Sequence, residues 1–123
     1  MNLLLDTHVL IWWDEGSKLS LPAKRAIEAA GEVYVSAASA WEIAIKTALG
    51  RIRSSRKVAD AVAESGFAEL PVLFTHAERL TDLPRHHGDP FDRLLIAQAL
   101  EEDLVLITRD RVFERYEIRT VRA

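Results

Sequence analysis

The chain has 123 residues, 49% hydrophobic and 28% charged, with no cysteine and a formal net charge of −3. That length and balance fit one globular domain (1–123) with a real core and argue against long disorder. No disulfide framework or thiolate metal site is available, which suits a reducing compartment. The acidic balance does not point to a nucleic-acid binder, nor does it exclude one that works through a local basic patch. The N-terminus carries no basic leader and Asp6 interrupts its first apolar run. Both features argue against a secretory signal, and no run is long enough to span a membrane, so a cytoplasmic location is expected.

Leu3-Leu4-Leu5 is a short, unbroken apolar run ending in Asp6. It reads as a central strand buried on both faces, with a carboxylate at its C-terminal end. Residues 7–14 form a short apolar helix that Thr7 is placed to cap, and residues 15–20 a loop. Ser20 and Pro22 signal the start of a helix that Gly31 stops. Val33-Tyr34-Val35 is a second strand. Ser36 to Leu49 is a strong helix closed by Gly50, and residues 51–57 are a basic connection. Val58 to Ser65 is an amphipathic helix ended by Gly66. Ala68 to Val72 is a third strand, which Pro71 assigns to the sheet edge. Thr75-His76-Ala77-Glu78 has capping-box spacing and opens a short helix that stops at Pro84. Residues 85–89 are a loop, Pro90 to Glu102 a second strong helix and Leu104 to Ile107 a fourth strand. Arg111 to Tyr116 is a short helix and Ile118 to Val121 a last strand. Strands alternate with helices throughout, which predicts a three-layer α/β/α sandwich around a central, mainly parallel five-stranded sheet.

In such a fold Asp6, Glu42, Asp92 and Asp110 all fall near strand C-termini or helix N-termini, where open α/β sheets place their ligands. Each acid alone has a plain explanation, because helix N-termini attract carboxylates through capping and the dipole. Asp89 reads as an N-cap with Pro90 at the first helical position. Ser39-Ala40-Trp41-Glu42 has capping-box spacing. Asp6 and Asp110 precede short helices that they are placed to cap. The set is harder to dismiss. Two carboxylates ~4 Å apart repel by about 4 kcal/mol at an effective dielectric of ~20, against a total domain stability of roughly 5–15 kcal/mol. A cluster of this kind persists if a divalent cation neutralises it or if some members take up protons. All-oxygen ligands select a hard cation, Mg²⁺ or Mn²⁺, the usual equipment of phosphodiester chemistry.

Four stretches carry a family likeness: Leu3-Leu4-Leu5-Asp6-Thr7-His8; Ser36 to Lys46, with Trp41-Glu42-Ile43; His86-His87-Gly88-Asp89-Pro90-Phe91-Asp92-Arg93 running on to Ala99; and Thr108-Arg109-Asp110. Together they closely resemble the PIN-domain ribonucleases, and within them the VapC-type toxins of bacterial toxin–antitoxin modules. The resemblance spans nearly the whole chain, and Asp-Pro-Phe-Asp-Arg is its most specific piece. It implies that Asp6, Glu42, Asp92 and Asp110 are the four catalytic acids. Asp6 and Asp92 would be direct Mg²⁺ ligands, and Glu42 and Asp110 would act partly through metal-bound waters. It also implies Mg²⁺-dependent endoribonuclease activity on an RNA substrate, a homodimer, and inhibition by a small cognate antitoxin.

Other residues are candidates for RNA contacts or for supporting the acids. Thr7 and Thr108 lie beside acids and have hydroxyls to orient a carboxylate, although capping explains Thr7 as well. Lys46, four residues after Glu42, reads as a surface ion pair before a phosphate contact. Arg51, Arg53, Arg56 and Lys57 form the densest basic run, either a solvated loop or a strip for the RNA backbone. Arg93 is placed to pair with an acid or hold a phosphate, with Arg85 and Arg109 as weaker candidates. His86 and His87 read as solvated loop residues or contacts for RNA or antitoxin, without zinc-site spacing. His8 reads as structural. Trp12, Trp13 and Trp41 read as core or dimer contacts before base-stacking platforms.

Two alternatives remain at this level. One is another doubly wound protein with an acidic site, such as a phosphotransferase or a receiver domain. It would want a further acid two residues after Asp6, where His8 stands, or an acid ending the third strand, which closes at Val72-Leu73 without one. The other is a non-catalytic, regulatory RNA-binding module of the same fold.

Overall fold

The computed structural model describes residues 1–16, 18–53 and 56–123. Ser17, in the expected loop 15–20, and Ser54 and Ser55, in the expected basic connection, lie outside the described residues. Leu3–Leu5 forms strand β1, and all three side chains are fully buried. Side chains alternate across a strand. Leu3 and Leu5 therefore enter one core with Val9, Leu10, Ala23 and Ile27, while Leu4 enters a second with Leu95, Ile96, Leu106 and Phe113. A strand with two apolar faces needs a helical layer on each side, which gives the three-layer arrangement.

The remaining elements follow in the expected alternation. Helices α1 (Thr7–Glu15) and α2 (Leu21–Ala29) precede strand β2 (Val33–Ser36). Helices α3 (Ala37–Ala48) and α4 (Val58–Glu64) lead to strand β3 (Ala68–Leu70). Helix α5 (Phe74–Arg79) runs into a 3₁₀ turn, Leu80–Asp82, and helix α6 (Pro90–Glu102) into strand β4 (Val105–Thr108). A second 3₁₀ turn, Arg111–Arg115, precedes strand β5 (Thr120–Arg122). The sheet order is β3-β2-β1-β4-β5, so β1 is central and β3 is an edge strand. Every pairing is parallel, with Leu4 opposite Tyr34 on one side and Leu106 on the other. All strand C-termini therefore share one edge.

Where the boundaries differ from the sequence expectation, the cause is local. Strand β3 stops at Leu70 because Pro71 has no amide to continue the ladder. The last strand is Thr120–Arg122 rather than Ile118–Val121, and the helix expected at 111–116 is a 3₁₀ turn. The Thr75 capping box does not form, since α5 begins at Phe74 and Thr75 lies inside it. His76 instead caps that helix, its Nδ1 accepting from the Leu73 amide at 3.0 Å. Its Nε2 meets Glu102 Oε2 at 2.9 Å, a pairing that ties α5 to the end of α6. Likewise α3 is capped by Ser36, which accepts from the Ala38 amide at 3.0 Å, so the Ser39–Glu42 spacing is not a cap.

Truncating Leu5 to Ala is expected to cost about 2–5 kcal/mol, as for other fully buried leucines. Leu21→Ala, at a position 57% exposed, should stay within about 0.5 kcal/mol. Urea unfolding of both variants tests the central placement of β1, and equal midpoints would contradict it.

Candidate active site

The parallel register assembles the acids. Leu5 pairs with Ile107, so the next residues out, Asp6 and Thr108, emerge side by side at the strand ends. Thr108 Oγ1 donates to Asp6 Oδ2 at 2.8 Å and accepts from the Asp110 amide at 3.1 Å. Asp6 occupies the N-cap position of α1, yet its side chain makes no cap hydrogen bond and Thr7 is already helical. The capping explanation therefore fails for Asp6. It holds for Asp89, whose Oδ1 accepts from the Phe91 and Asp92 amides at 2.8 and 3.1 Å. Asp110 has both roles, with Oδ1 taking the Val112 amide at 2.9 Å and Oδ2 turned to His87.

Glu42 comes from the second turn of α3 and is buried. Thr7 Oγ1 lies 2.7 Å from Glu42 Oε1, where it donates, and 2.9 Å from Ser39 Oγ. Lys46 Nζ is 2.6 Å from Glu42 Oε2. The Glu42 side chain is 4% exposed and that of Lys46 28%, so the pair is partly buried and not the surface i,i+4 pair expected from spacing. The hydrogen bond to Glu42 holds the Lys46 ammonium above its ordinary range, with further support from the charges of Glu42, Asp89 and Asp92.

Asp92, in the first turn of α6, shows most directly that the acids have met. Its carboxyl is pushed up to about 8 from an ordinary 3.8, first by burial and then by the charges of Asp6, Asp89, Glu42 and Asp110. Asp6 is also raised, chiefly by burial and in small part by Glu42, against the lowering pull of Thr108, His8 and the Thr7 amide. Four carboxylates with no sulfur ligand are a donor set for a hard divalent cation, and the upward shift at Asp92 is the strain that such an ion relieves.

His87 departs from the sequence expectation. It is not a solvated loop residue: its side chain is 14% exposed, and Nε2 lies 3.0 Å from Asp92 Oδ2 and 2.8 Å from Asp110 Oδ2. Those three side chains bring potential ligand atoms within 4.8 Å of one another. The only signal in the sequence was proximity, five residues before Asp92, since nothing there announced the contact with Asp110. His86 packs edge-to-face on Tyr116.

The other candidates divide. Arg93 does not pair with Asp92. Its guanidinium donates to the carbonyls of Pro84, Leu83 and Leu80 at 2.9, 3.3 and 3.4 Å and holds the loop before α6. Arg109 lies over the Trp12 ring at 4.1 Å and donates to Ala123 O. Arg56 is engaged by Asp14 at 3.3 Å and by Glu64. Arg51, Arg53 and Arg85 are exposed. Trp12 and Trp13 pack against the core as expected, but Trp41 is 61% exposed and meets Phe91 edge-to-face at 5.1 Å. Trp41 precedes Glu42 and Phe91 precedes Asp92, so this aromatic pair stands on the rim of the acid cluster.

Comparison with known proteins agrees with this geometry. The PIN domain family model matches residues 3–118. Ribonuclease VapC22 of Mycobacterium tuberculosis (strain ATCC 25618 / H37Rv) is 36% identical over 118 residues, covering 89% of this chain and 88% of that protein. Among solved structures, VapBC2 from Rickettsia felis bound to a DNA fragment from their promoter superposes with a TM-score of 0.74 at 12% identity, covering 99% and 98% of the two chains. DNA-bound VapBC from Salmonella typhimurium gives 0.71 at 20% identity, again over 99% and 98%. Those two likenesses concern the fold, whereas the family match and the mycobacterial relative reach the sequence itself. With its all-parallel five-stranded sheet and its acids gathered at the strand ends, the chain belongs to the PIN domain family.

Proposed function

We propose that this protein is a metal-dependent endoribonuclease, the toxin of a toxin–antitoxin module, working in the cytoplasm. The observation that carries the proposal is the convergence of Asp6, Glu42, Asp92 and Asp110, where burial first and the neighbouring charges next raise the Asp92 carboxyl, in a chain 36% identical to a protein named as a ribonuclease. Asp6 and Asp92 would hold Mg²⁺, with Mn²⁺ as a substitute. Both oxygens of Glu42 accept hydrogen bonds, from Thr7 and Lys46, and both of Asp110 are engaged, by Val112 N–H and His87. Asp6 accepts from the Thr108 hydroxyl and the Thr7 amide, and Asp92 meets His87 through Oδ2. Among the described residues Asp92 has the thinnest set of donors, which supports its direct ligation with Asp6 beside it, the other two acids acting through water. When bound, the ion would polarise a water for in-line attack on phosphorus, leaving a 5′-phosphate and a 3′-hydroxyl.

The chain's own groups supply binding and orientation. Thr7 and Thr108 fix the Glu42 and Asp6 carboxylates through their hydroxyls. Lys46, Arg51 and Arg53 would meet the RNA backbone. Arg93, occupied by carbonyls, acts on the loop and not on phosphate. Trp41, Ile45 and Leu49 form an exposed apolar stripe at helical spacing on α3, and Val72, Leu73 and Phe74 expose a second apolar surface. Patches of this kind mark protein contact sites, and they suit a homodimer and a cognate antitoxin. No helix among the described residues is long and apolar enough to cross a membrane.

Replacing Asp6 by Asn should lower Mg²⁺-dependent cleavage of total cellular RNA by about a thousandfold or more, ~4 kcal/mol of barrier, with an unchanged circular dichroism spectrum. End mapping of the wild-type products reads the 5′-phosphate. Full activity in the purified variant would refute the role given to Asp6.

Stability should also depend on pH in a defined direction. The folded Asp92 carboxyl titrates near 8 and the unfolded one near 3.8, so between those values the native state binds more protons. The metal-free protein therefore loses stability as pH rises from about 4 towards 8. Millimolar Mg²⁺ should recover much of the loss at pH 8, because it binds the folded cluster preferentially. A melting temperature unchanged between chelator and Mg²⁺ at pH 8 would count against a shared metal site.

A further inference from the structure

His87 has more contacts than a loop residue needs. Its amide donates to Tyr116 Oη at 2.8 Å, and that hydroxyl donates on to Pro84 O at 2.8 Å. The ring stands edge-to-face against buried Phe113 at 5.5 Å. Nδ1 accepts from the Asp89 amide at 3.1 Å, the amide of the residue that caps α6. Backbone, ring face and one ring nitrogen are thus fixed, and the other nitrogen points between Asp92 and Asp110.

The fixed nitrogen decides what the free one can do. A backbone N–H aimed at Nδ1 requires a lone pair there, so the ring proton sits on Nε2. Nε2–H then reaches Asp92 Oδ2 at 3.0 Å and Asp110 Oδ2 at 2.8 Å. A nitrogen carrying a proton has no lone pair for a metal. Ligation through Nε2 would require moving that proton to Nδ1 and losing the Asp89 contact at the start of α6.

We propose that His87 is a positioning residue of the acid site: its Nε2–H bridges Asp92 and Asp110, sets their separation, and leaves the remaining Asp92 oxygen to face the cation. His87 acts as a donor to the carboxylates, and nitrogen does not enter the coordination sphere. This inference rests on the metal-site reading above and adds to it a residue outside the four acids. The imidazole supports the ligand carboxylate as outer-shell partners do in metal sites generally.

Glutamine offers the test, because its side-chain amide supplies an NH₂ donor and a carbonyl acceptor in place of the two ring nitrogens, whereas alanine supplies neither. Calorimetric titration of Mn²⁺ into the wild type, H87Q and H87A should show about tenfold weaker binding for H87A and a change within about threefold for H87Q. Equal affinity in H87A and wild type would overturn the positioning role while leaving the metal site intact. Absence of Mn²⁺ binding by the folded wild type would overturn the metal-site reading and this inference with it. Long-range ¹H–¹⁵N correlation of the wild-type His87 ring gives an independent check that needs no variant to fold. Nε2 should be protonated both in chelator and with saturating Mg²⁺, and an unprotonated Nε2 in the Mg²⁺ sample would make His87 a ligand and overturn the proposal.

Discussion

Mutual repulsion among carboxylates at one sheet edge is the constraint that organises this protein's polar interior. Burial there raises the free energy of every charged form, and each added acid raises it further. The surrounding donors are arranged against that cost. Thr108 meets Asp6, Thr7 and Lys46 meet the two oxygens of Glu42, and the Val112 amide and His87 meet Asp110. A site maintained for stability alone would replace such acids and their partners with apolar groups, since exchanging a buried ion pair for well-packed apolar side chains is often neutral or stabilising. Their presence together is a local violation of good folding design, and violations of this kind are expected where a chain acts on something else.

The apolar fold makes the violation tolerable. Leu3, Leu4 and Leu5 fill both cores, and a strand with no polar side chain leaves its carboxylate only the end of the sheet to occupy. Parallel pairing then does what hairpins could not. Residues 102 apart in sequence, Asp6 and Thr108, become lateral neighbours, and α3 and α6 present their N-terminal halves to the same edge. Because those positions are set by ladder register and by helix starts at Ser36 and Asp89, the geometry rests on rigid elements and not on loops. His87 reaches the acids from a loop, and that loop is tied down by Tyr116 and Arg93.

Much of this was legible in the sequence, for reasons that can be named. An unbroken leucine triplet can be satisfied only by two covered faces, so the central strand and the layered fold followed from it. Pro90 after Asp89 is a strong local signal, and α6 starts where the pair predicts. The acids were readable because strand ends and helix starts share an edge in any parallel sheet. What was not legible depended on contacts between distant segments or on competing local signals. Ser39 and Glu42 have the spacing of a capping box, but Ser36 offers an earlier cap and wins, which frees both residues to face Thr7. Arg93 sits beside an acid in sequence yet turns to three backbone carbonyls, because a guanidinium has donors enough to meet several at once. His87 bridges acids 5 and 23 positions away, and no periodicity encodes that.

Compensation is uneven across the four acids, and the unevenness carries functional meaning. Glu42 is matched by a hydroxyl and an ammonium within 2.7 Å, so its charge is already answered. Among the described residues Asp92 meets only the shared imidazole, and burial first, then the charges of Asp6, Asp89, Glu42 and Asp110, push its carboxyl up to about 8. Near neutral pH the metal-free site therefore keeps a proton where the charge is least supported. A divalent ion that takes that oxygen must displace the proton, so cation and proton compete for one carboxylate. Of the four acids, the one with the fewest donors has the most to gain from the ion. On the ligation proposed above, the imbalance that lowers the stability of the metal-free fold would also direct an incoming cation to Asp92 and Asp6.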